Sequence, residues 1–212
     1  MKMEMKDAYK LITKKKLLNS IQIVSLLAIA TIALFIVSAM GIDVYYFNWI
    51  ALYCCIPFTI QLIVDLVERA LFMKSEVIQN SLYDLQNNIV MDNVEGVLTS
   101  NCYYSMKKPL KPIPLENIVW MHKKMVNGKY VGPLYVQMVC YMNDNTSIEM
   151  TYKGAGEVGK TPHDHAAVQI VETVRAKNPY LIFGYEKEAQ KAYKALKKNN
   201  YDYAKTFYNM NQ

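Results

Sequence analysis

The chain has 212 residues, of which 52% are apolar and 20% charged, with a net charge of +6. That length bounds it to one or two units rather than a string of domains. Four cysteines without C-x-x-C or zinc-site spacing argue against a disulfide framework and a structural metal, leaving buried thiols as small apolar groups.

Residues 1–16 carry six lysines against Glu4 and Asp7 and read as a basic, cytoplasmic N-terminus. Two uncharged runs follow, "LLNSIQIVSLLAIATIALFIVSAM" over 17–40 and "VYYFNWIALYCCIPFTIQLIV" over 44–64. Each exceeds the roughly 18 apolar residues that mark a spanning helix. At ~1.5 Å per residue the first reaches ~36 Å, enough for a ~30 Å hydrocarbon core. A cleaved signal peptide is a poor fit, since its apolar core is only ~7–15 residues and no second run follows it. The expected spans lie near 17–40 and 44–66, within a transmembrane hairpin covering 17–72.

Lysine and arginine set the orientation. The link between the runs holds Asp43 and neither basic residue, whereas Arg69 and Lys74 follow the second run. Both termini are therefore expected in the cytoplasm of an integral membrane protein. Tyr45, Tyr46 and Trp49 suit an interfacial aromatic belt, and Pro57 suits a kink. No Lys, Arg, His or carboxylate falls at mid-depth, and Asp65 and Glu68 come at the cytoplasmic edge. An anchor fits better than a transport path, which would need such groups.

Residues 73–212 hold sixteen Lys and one Arg against thirteen acids, a mildly basic balance beside an anionic leaflet. The spacing predicts a helix over "SEVIQNSLYDLQNN". Strands are predicted over 94–104, 115–126, 130–142 and 147–153, rich in β-branched and aromatic residues. Their joints, "KKPLKPIP", "NGK" and "NDNTS", are turn-like, so an antiparallel meander follows. Helices are then predicted over "HDHAAVQIVETVRAKNP", 185–198 and "YDYAKTFY".

The stretch "GAGEVGKT", Gly154 to Thr161, fits the phosphate-loop pattern G-x-x-x-x-G-K-[ST]. It makes Gly154, Gly159, Lys160 and Thr161 the candidate residues of a nucleotide-binding enzyme. Pro162 opposes that reading, because a residue before proline avoids the α region that the loop's threonine needs. The same letters also read as a helix start, with Thr161 at N-cap, Pro162 at N1 and Asp164 at N3. Here a working loop's further parallel strands are missing, since only helices are predicted after it. His163 and His165 form H-x-H, but on a helix they point about 200° apart, and His122 is the only other histidine. No metal, cofactor, catalytic residue or nucleic-acid partner is expected. Lys107-Lys108 and Lys197-Lys198 read as solvated faces.

"ENIVWMHKK" (116–124), "KNPYLIFGYEKEAQKAYK" (177–194) and "YDYAKTF" (201–207) resemble a family of small uncharacterised bacterial membrane proteins. Its members have two N-terminal spans and a cytoplasmic domain similar to bacterial pleckstrin-homology-like domains. The resemblance covers roughly residues 113–208 and rests on packing residues, and it supplies no catalytic ones. It implies a seven-stranded barrel with one closing helix, and a place for Trp120 in the core. The expected fold class is α+β: two N-terminal transmembrane helices, a small pleckstrin-homology-like antiparallel sheet, and C-terminal helices packed on it. The expected role is a non-catalytic interaction or scaffold module at the cytoplasmic face of the bacterial cell membrane. Its expected partners are the lipid bilayer and either a protein or anionic lipid headgroups.

Overall fold

The computed structural model describes residues 4–13, 16–41, 45–93, 95–128, 132–154 and 165–210. Among them are seven helices and two four-stranded sheets, a mixed α+β fold. Four helices come first: α1 (Met5–Thr13), α2 (Lys16–Ala39), α3 (Tyr45–Lys74) and α4 (Glu76–Asn87).

Helices α2 and α3 lie side by side. Thr31 Oγ1 donates to Leu27 O at 2.8 Å and lies 3.5 Å from Cys55 Sγ across the pair. Such back-bonding hides a hydroxyl within an apolar helix. Among the described residues one helix, Ile21–Ala39, is long and apolar enough to cross a membrane, and 6% of that stretch is buried. The sequence reading expects two such helices. The second expected span falls in α3, a 30-residue helix that runs unbroken through Pro57 and on into the charged stretch Asp65–Lys74.

The first sheet is an antiparallel meander, β1 (Ile89–Asn93), β2 (Gly96–Thr99), β3 (Cys102–Ser105) and β4 (Ile113–Pro114). A 3-10 turn, Leu115–Asn117, leads to β5 (Ile118–Gly128), β6 (Gly132–Met142) and β7 (Ser147–Gly154), a second antiparallel meander. The chain continues through α5 (His165–Lys177), β8 (Ile182–Phe183), α6 (Lys187–Lys198) and α7 (Tyr203–Met210). Strand β8 adds to β5 in parallel, so the second sheet is ordered β7-β6-β5-β8.

Two sheets thus replace the single small sheet of four strands that the sequence leads one to expect. The predicted strand 94–104 divides at Ser100–Asn101, where Thr99 Oγ1 accepts from the backbone N–H groups of Asn101 (3.4 Å) and Cys102 (3.0 Å). A side chain that caps its own backbone in this way turns the strand. Gly96 lets β2 press on β3, since a Cβ there would sit 2.8 Å from the Tyr103 hydroxyl and collide with the Tyr104 carbonyl.

The two sheets face one another over an apolar core that includes Leu98, Tyr103, Met121, Met138, Cys140 and Met150. Strand β1 also lies beside β7, and Thr151 Oγ1 donates to Glu95 Oε2 at 2.9 Å, so the sheets close at that corner. Helix α5 covers the core with Ala167, Ile170, Val171 and Val174, an i, i+3, i+4, i+7 stripe.

A second core lies on the other side of the first sheet. Ala8, Tyr9 and Ile12 of α1 meet Phe72 of α3, Ile78 and Leu85 of α4, and Val97 and Tyr104 of the sheet. The Tyr9 and Phe72 rings stand edge to face at 5.2 Å. Residues 5–13, a basic tail in the sequence reading, are therefore an amphipathic helix packed into the molecule.

Trp120 is 6% exposed. It packs on the outer face of the second sheet, away from the inter-sheet core, stacked on Tyr141 (4.4 Å) and Tyr185 (6.1 Å), with Tyr193 at 4.7 Å. Its Nε1 donates to Gly184 O at 2.8 Å, and Gly184 has φ +112, a conformation open to glycine. Trp120→Ala is expected to cost about 3–5 kcal/mol, as for other buried tryptophans. Thermal or denaturant melting of the intact chain in detergent checks it. Tyr103 is the converse case. Its hydroxyl is buried with no hydrogen-bond partner among the described residues. Such a group costs about 1–3 kcal/mol, so Tyr103→Phe should raise the melting temperature in the same assay.

Candidate functional site

The Gly-rich stretch is entered from β7. Gly154 is the last residue of β7 and pairs with Tyr135 of β6. Residues 155–164, which include Gly159, Lys160, Thr161, Pro162, His163 and Asp164, lie outside the described residues. What surrounds them differs from a phosphate loop's frame. That loop connects a strand of a parallel sheet to a helix, whereas β7 is the end strand of its sheet and, among the described residues, pairs antiparallel with β6. Among the described residues the parallel pairing is confined to β5 and β8.

His165 opens α5 on the far side of that gap. His122 packs instead in the outer aromatic cluster, 5.3 Å from the Trp120 ring and 4.5 Å from Tyr185. No group of three His, Cys, Asp or Glu side chains among the described residues is arranged to hold a metal ion.

A buried carboxylate, Asp84, ties α4 to the first sheet. It accepts from the Thr99 hydroxyl, from Asn88 Nδ2 at 3.0 Å and from Asn101 Nδ2 at 2.6 Å. Cys102 lies close by. Burial first, and then the Asp84 charge, push its thiol up to about 11. Burial raises Cys140 as well. A thiol rather than a thiolate is a poor nucleophile, so the arrangement serves packing and not covalent chemistry.

A cleft with a different character lies where the β3–β4 loop meets the β6–β7 turn. It encloses about 110 Å³ and is lined by Lys108, Lys111, Asn117, Asp144, Thr146 and Ser147, among others. Sequence dictates its walls. Prolines 109 and 112 lack the backbone N–H that strand pairing needs and so interrupt the β3–β4 loop, and Lys111 N donates to Lys108 O at 3.1 Å to close a turn within it. On the other wall, Asn145 takes φ +64, which asparagine tolerates, and Met142 N bonds Thr146 O at 2.9 Å. Asp144 Oδ1 accepts both the N–H of Thr146 (2.9 Å) and its hydroxyl. Those bonds, with Lys111 adding its charge, hold the carboxyl below its ordinary range.

The charges of the β3–β4 loop divide cleanly. Lys107 pairs with Glu95 at 3.1 Å. Lys108 and Lys111 make no ion pair among the described residues. Between them Leu110 packs into the second core, together with Leu11 of α1 and Leu62 of α3. Leu110 thus anchors the loop that carries both lysines to the core shared by α1, α4 and the first sheet. Sequence reasoning passed over this cleft because it treated the loop as a solvated joint. The signal that could have found it is "KKPLKP", three lysines around a leucine and two prolines, since an apolar residue in a rigid loop needs something to pack against.

A further groove, of about 370 Å³, runs between α5 and the β5–β8 edge, lined by Lys123, Ala167, Val168, Val171, Glu172, Arg175 and Phe183. Val168 and Phe183 are exposed there.

No family model matches the chain, and neither does any curated protein or solved structure.

Alkylation tests the chemical reading of the thiols. Iodoacetamide at pH 8 is expected to leave Cys102 and Cys140 unmodified in the folded chain and to modify both in denaturant, as peptide mass spectrometry reads out.

Proposed function

We propose that the protein is a membrane-anchored, non-catalytic interaction module whose folded domain works at the cytoplasmic face of the bilayer. The observation that carries this reading is the exposure of the apolar helix. Over Ile21–Ala39 only 6% of the stretch is buried, and Leu26 and Ile29 are 67% and 64% exposed. A core helix of a water-soluble protein would have these side chains covered, because contiguous apolar surface is rarely left in water. Lipid is the solvent that suits them. On this reading α3 is the second span. About 20 residues cross a ~30 Å core, so a helix entering at Tyr45 leaves near Leu62 and Asp65, and its last turns stand outside the membrane.

Helix α1 supports the matching topology. It shares one core with α4 and the first sheet, so the N-terminus and the domain lie on the same side of any bilayer that α2 and α3 cross. The lysine excess of residues 1–16 puts that side in the cytoplasm.

The domain's organisation supports the pleckstrin-homology-like reading. A four-stranded antiparallel meander and a three-stranded one make seven strands, with a helix over the core, the numbers that the family resemblance implies. Strand β8 and helices α6 and α7 are additions to that plan. The loop between β3 and β4, with Lys108 and Lys111, is anchored through Leu110 to the core that α1, α4 and Phe72 of α3 share with the first sheet. The partner on this reading is the lipid headgroup layer itself. A nucleotide-dependent enzyme has less support, because the strand before its candidate loop belongs to an antiparallel meander.

Depth labelling tests the proposal. The full chain carrying Lys111→Cys with a fluorescent label, reconstituted in vesicles, should be quenched by lipids with a nitroxide on the headgroup. It should be quenched far less by lipids with the nitroxide deep in the acyl chain. No quenching by either lipid would remove the loop from the membrane surface and end this reading.

A further inference from the structure

The cleft between Lys108, Lys111 and the β6–β7 turn carries both signs of charge, and its geometry points to a ligand that does too. We propose that it binds the phosphoethanolamine headgroup of an aminophospholipid, the phosphate on the lysine side and the ammonium on Asp144. The inference rests on the membrane-facing position of the β3–β4 loop proposed above.

Three observations converge on it. The first is the supply of donors. Lys108 and Lys111 make no ion pair among the described residues, and Ser147, whose hydroxyl makes no hydrogen bond among them, lines the same cleft. Two ammonium groups and a hydroxyl give a phosphate diester charge-assisted hydrogen bonds.

The second is the carboxylate. Thr146 places both of its bonds on Asp144 Oδ1. Oδ2 makes none among the described residues and is left to accept from a ligand. The same bonds fix the carboxylate in its ionised form beside the lysines. A ligand that is only anionic meets repulsion from it, while a primary ammonium one short linker away from the phosphate turns that repulsion into attraction. A quaternary ammonium has no N–H to donate and a glycerol headgroup has no positive charge, so the cleft discriminates against both.

The third is placement. Leu110 anchors the loop of the two lysines to the core that also takes in α1 and Phe72 of α3, on the side of the molecule that the reading above sets against the bilayer. On that reading the headgroup layer is the nearest source of phosphoethanolamine.

Native mass spectrometry of the intact, detergent-solubilised chain provides the test. The protein is offered an equimolar mixture of phosphatidylethanolamine, phosphatidylglycerol and phosphatidylcholine with identical acyl chains. The wild type should retain phosphatidylethanolamine over each of the others by roughly tenfold, the ratio that about 1.4 kcal/mol of differential interaction gives. Asp144→Asn keeps the Oδ1 acceptor for Thr146 and should lose this preference, with phosphatidylglycerol held at least as well as before. Lys108→Gln combined with Lys111→Gln should weaken all three lipids. Equal retention of the three lipids by the wild type would overturn the proposal, and so would an unchanged preference in Asp144→Asn.

A second measurement uses the wild type alone. Soluble phosphoethanolamine should displace the bound lipid at concentrations where inorganic phosphate does not. Displacement by both alike would show a simple anion site and sink the assignment. Binding of phosphoethanolamine without any retention of the lipid would make the source a soluble molecule, also against it. Headgroup-level quenching at position 111 without lipid selectivity would defeat this inference and leave the anchored-module reading standing.

Discussion

The arrangement of this molecule depends on one contact, the docking of the nine-residue helix α1 onto the end of α3. Ala8, Tyr9 and Ile12 are fully or almost fully buried there against Phe72. An isolated helix of nine residues is not stable in water, because nucleation outweighs the few hydrogen bonds it gains. Its order comes from the apolar face it buries. The contact also covers a charge. Asp65 is 0% exposed, its Oδ1 accepts from Gln61 Nε2 at 2.8 Å, and the Tyr9 hydroxyl donates to its backbone carbonyl at 3.4 Å. Removing α1 would expose Phe72, Ile78 and Val97 and would open Asp65 to whatever surrounds the helix exit.

From that clamp the rest of the domain is oriented by polar ties that are few and specific. Asp84 fixes α4 to the β2–β3 turn through Thr99 and Asn101. Glu95 then joins the β1–β2 turn to both β7 and the β3–β4 loop, taking Thr151 on one oxygen and Lys107 on the other. Asn178, just past α5, donates to Ile118 O at 2.9 Å and to Tyr203 Oη at 2.8 Å, linking the covering helix to β5 and to α7. The bonds of Asp84, Thr151 and Asn178 are buried or half-buried, so breaking one leaves its partner without water to replace it, whereas the Glu95 pair is exposed at its Lys107 end. The cleft inherits its rigidity from this chain of contacts. One wall is held by Leu110 in the second core and the other by the hydrogen-bonded turn at Asp144.

The parts legible in the sequence were those with strong local signals. The uncharged runs gave the long helices, the alternation of aromatic and β-branched residues gave β5, β6 and β7, and Ala167, Ile170, Val171 and Val174 gave α5. The short elements were not legible. β4 and β8 have two residues each and are strands only because a partner strand lies alongside. β1 is five residues with polar Asp92 and Asn93 at its end, too weak a pattern to separate from the joint after α4. Helix α1 was missed for another reason. Its apolar positions Met5, Ala8, Tyr9 and Ile12 repeat at helical spacing, but the lysines between them drew attention to charge instead of to the face. Trp120 shows how far local propensity goes, since it marks a buried strand residue without saying which side of the sheet the ring will take. The cleft needed tertiary information altogether, because Lys111 and Asp144 are brought together by two sheets that neither segment specifies alone.

The phosphate-loop letters and the "KKPLKP" loop make an instructive pair. The first matches a functional pattern in composition, but the strand that leads into it, β7, pairs antiparallel with β6, whereas that pattern's chemistry belongs to a parallel sheet. The second matches no pattern, yet its neighbours hold it. Leu110 is packed, Lys107 is paired with Glu95, and Lys108 and Lys111 are left pointing at a turn that presents a carboxylate and a hydroxyl. A charged side chain acquires a role from what fixes it and from what it faces. Among the described residues Lys108 and Lys111 have both attributes, since Leu110 anchors their loop and the cleft sets them opposite the turn at Asp144.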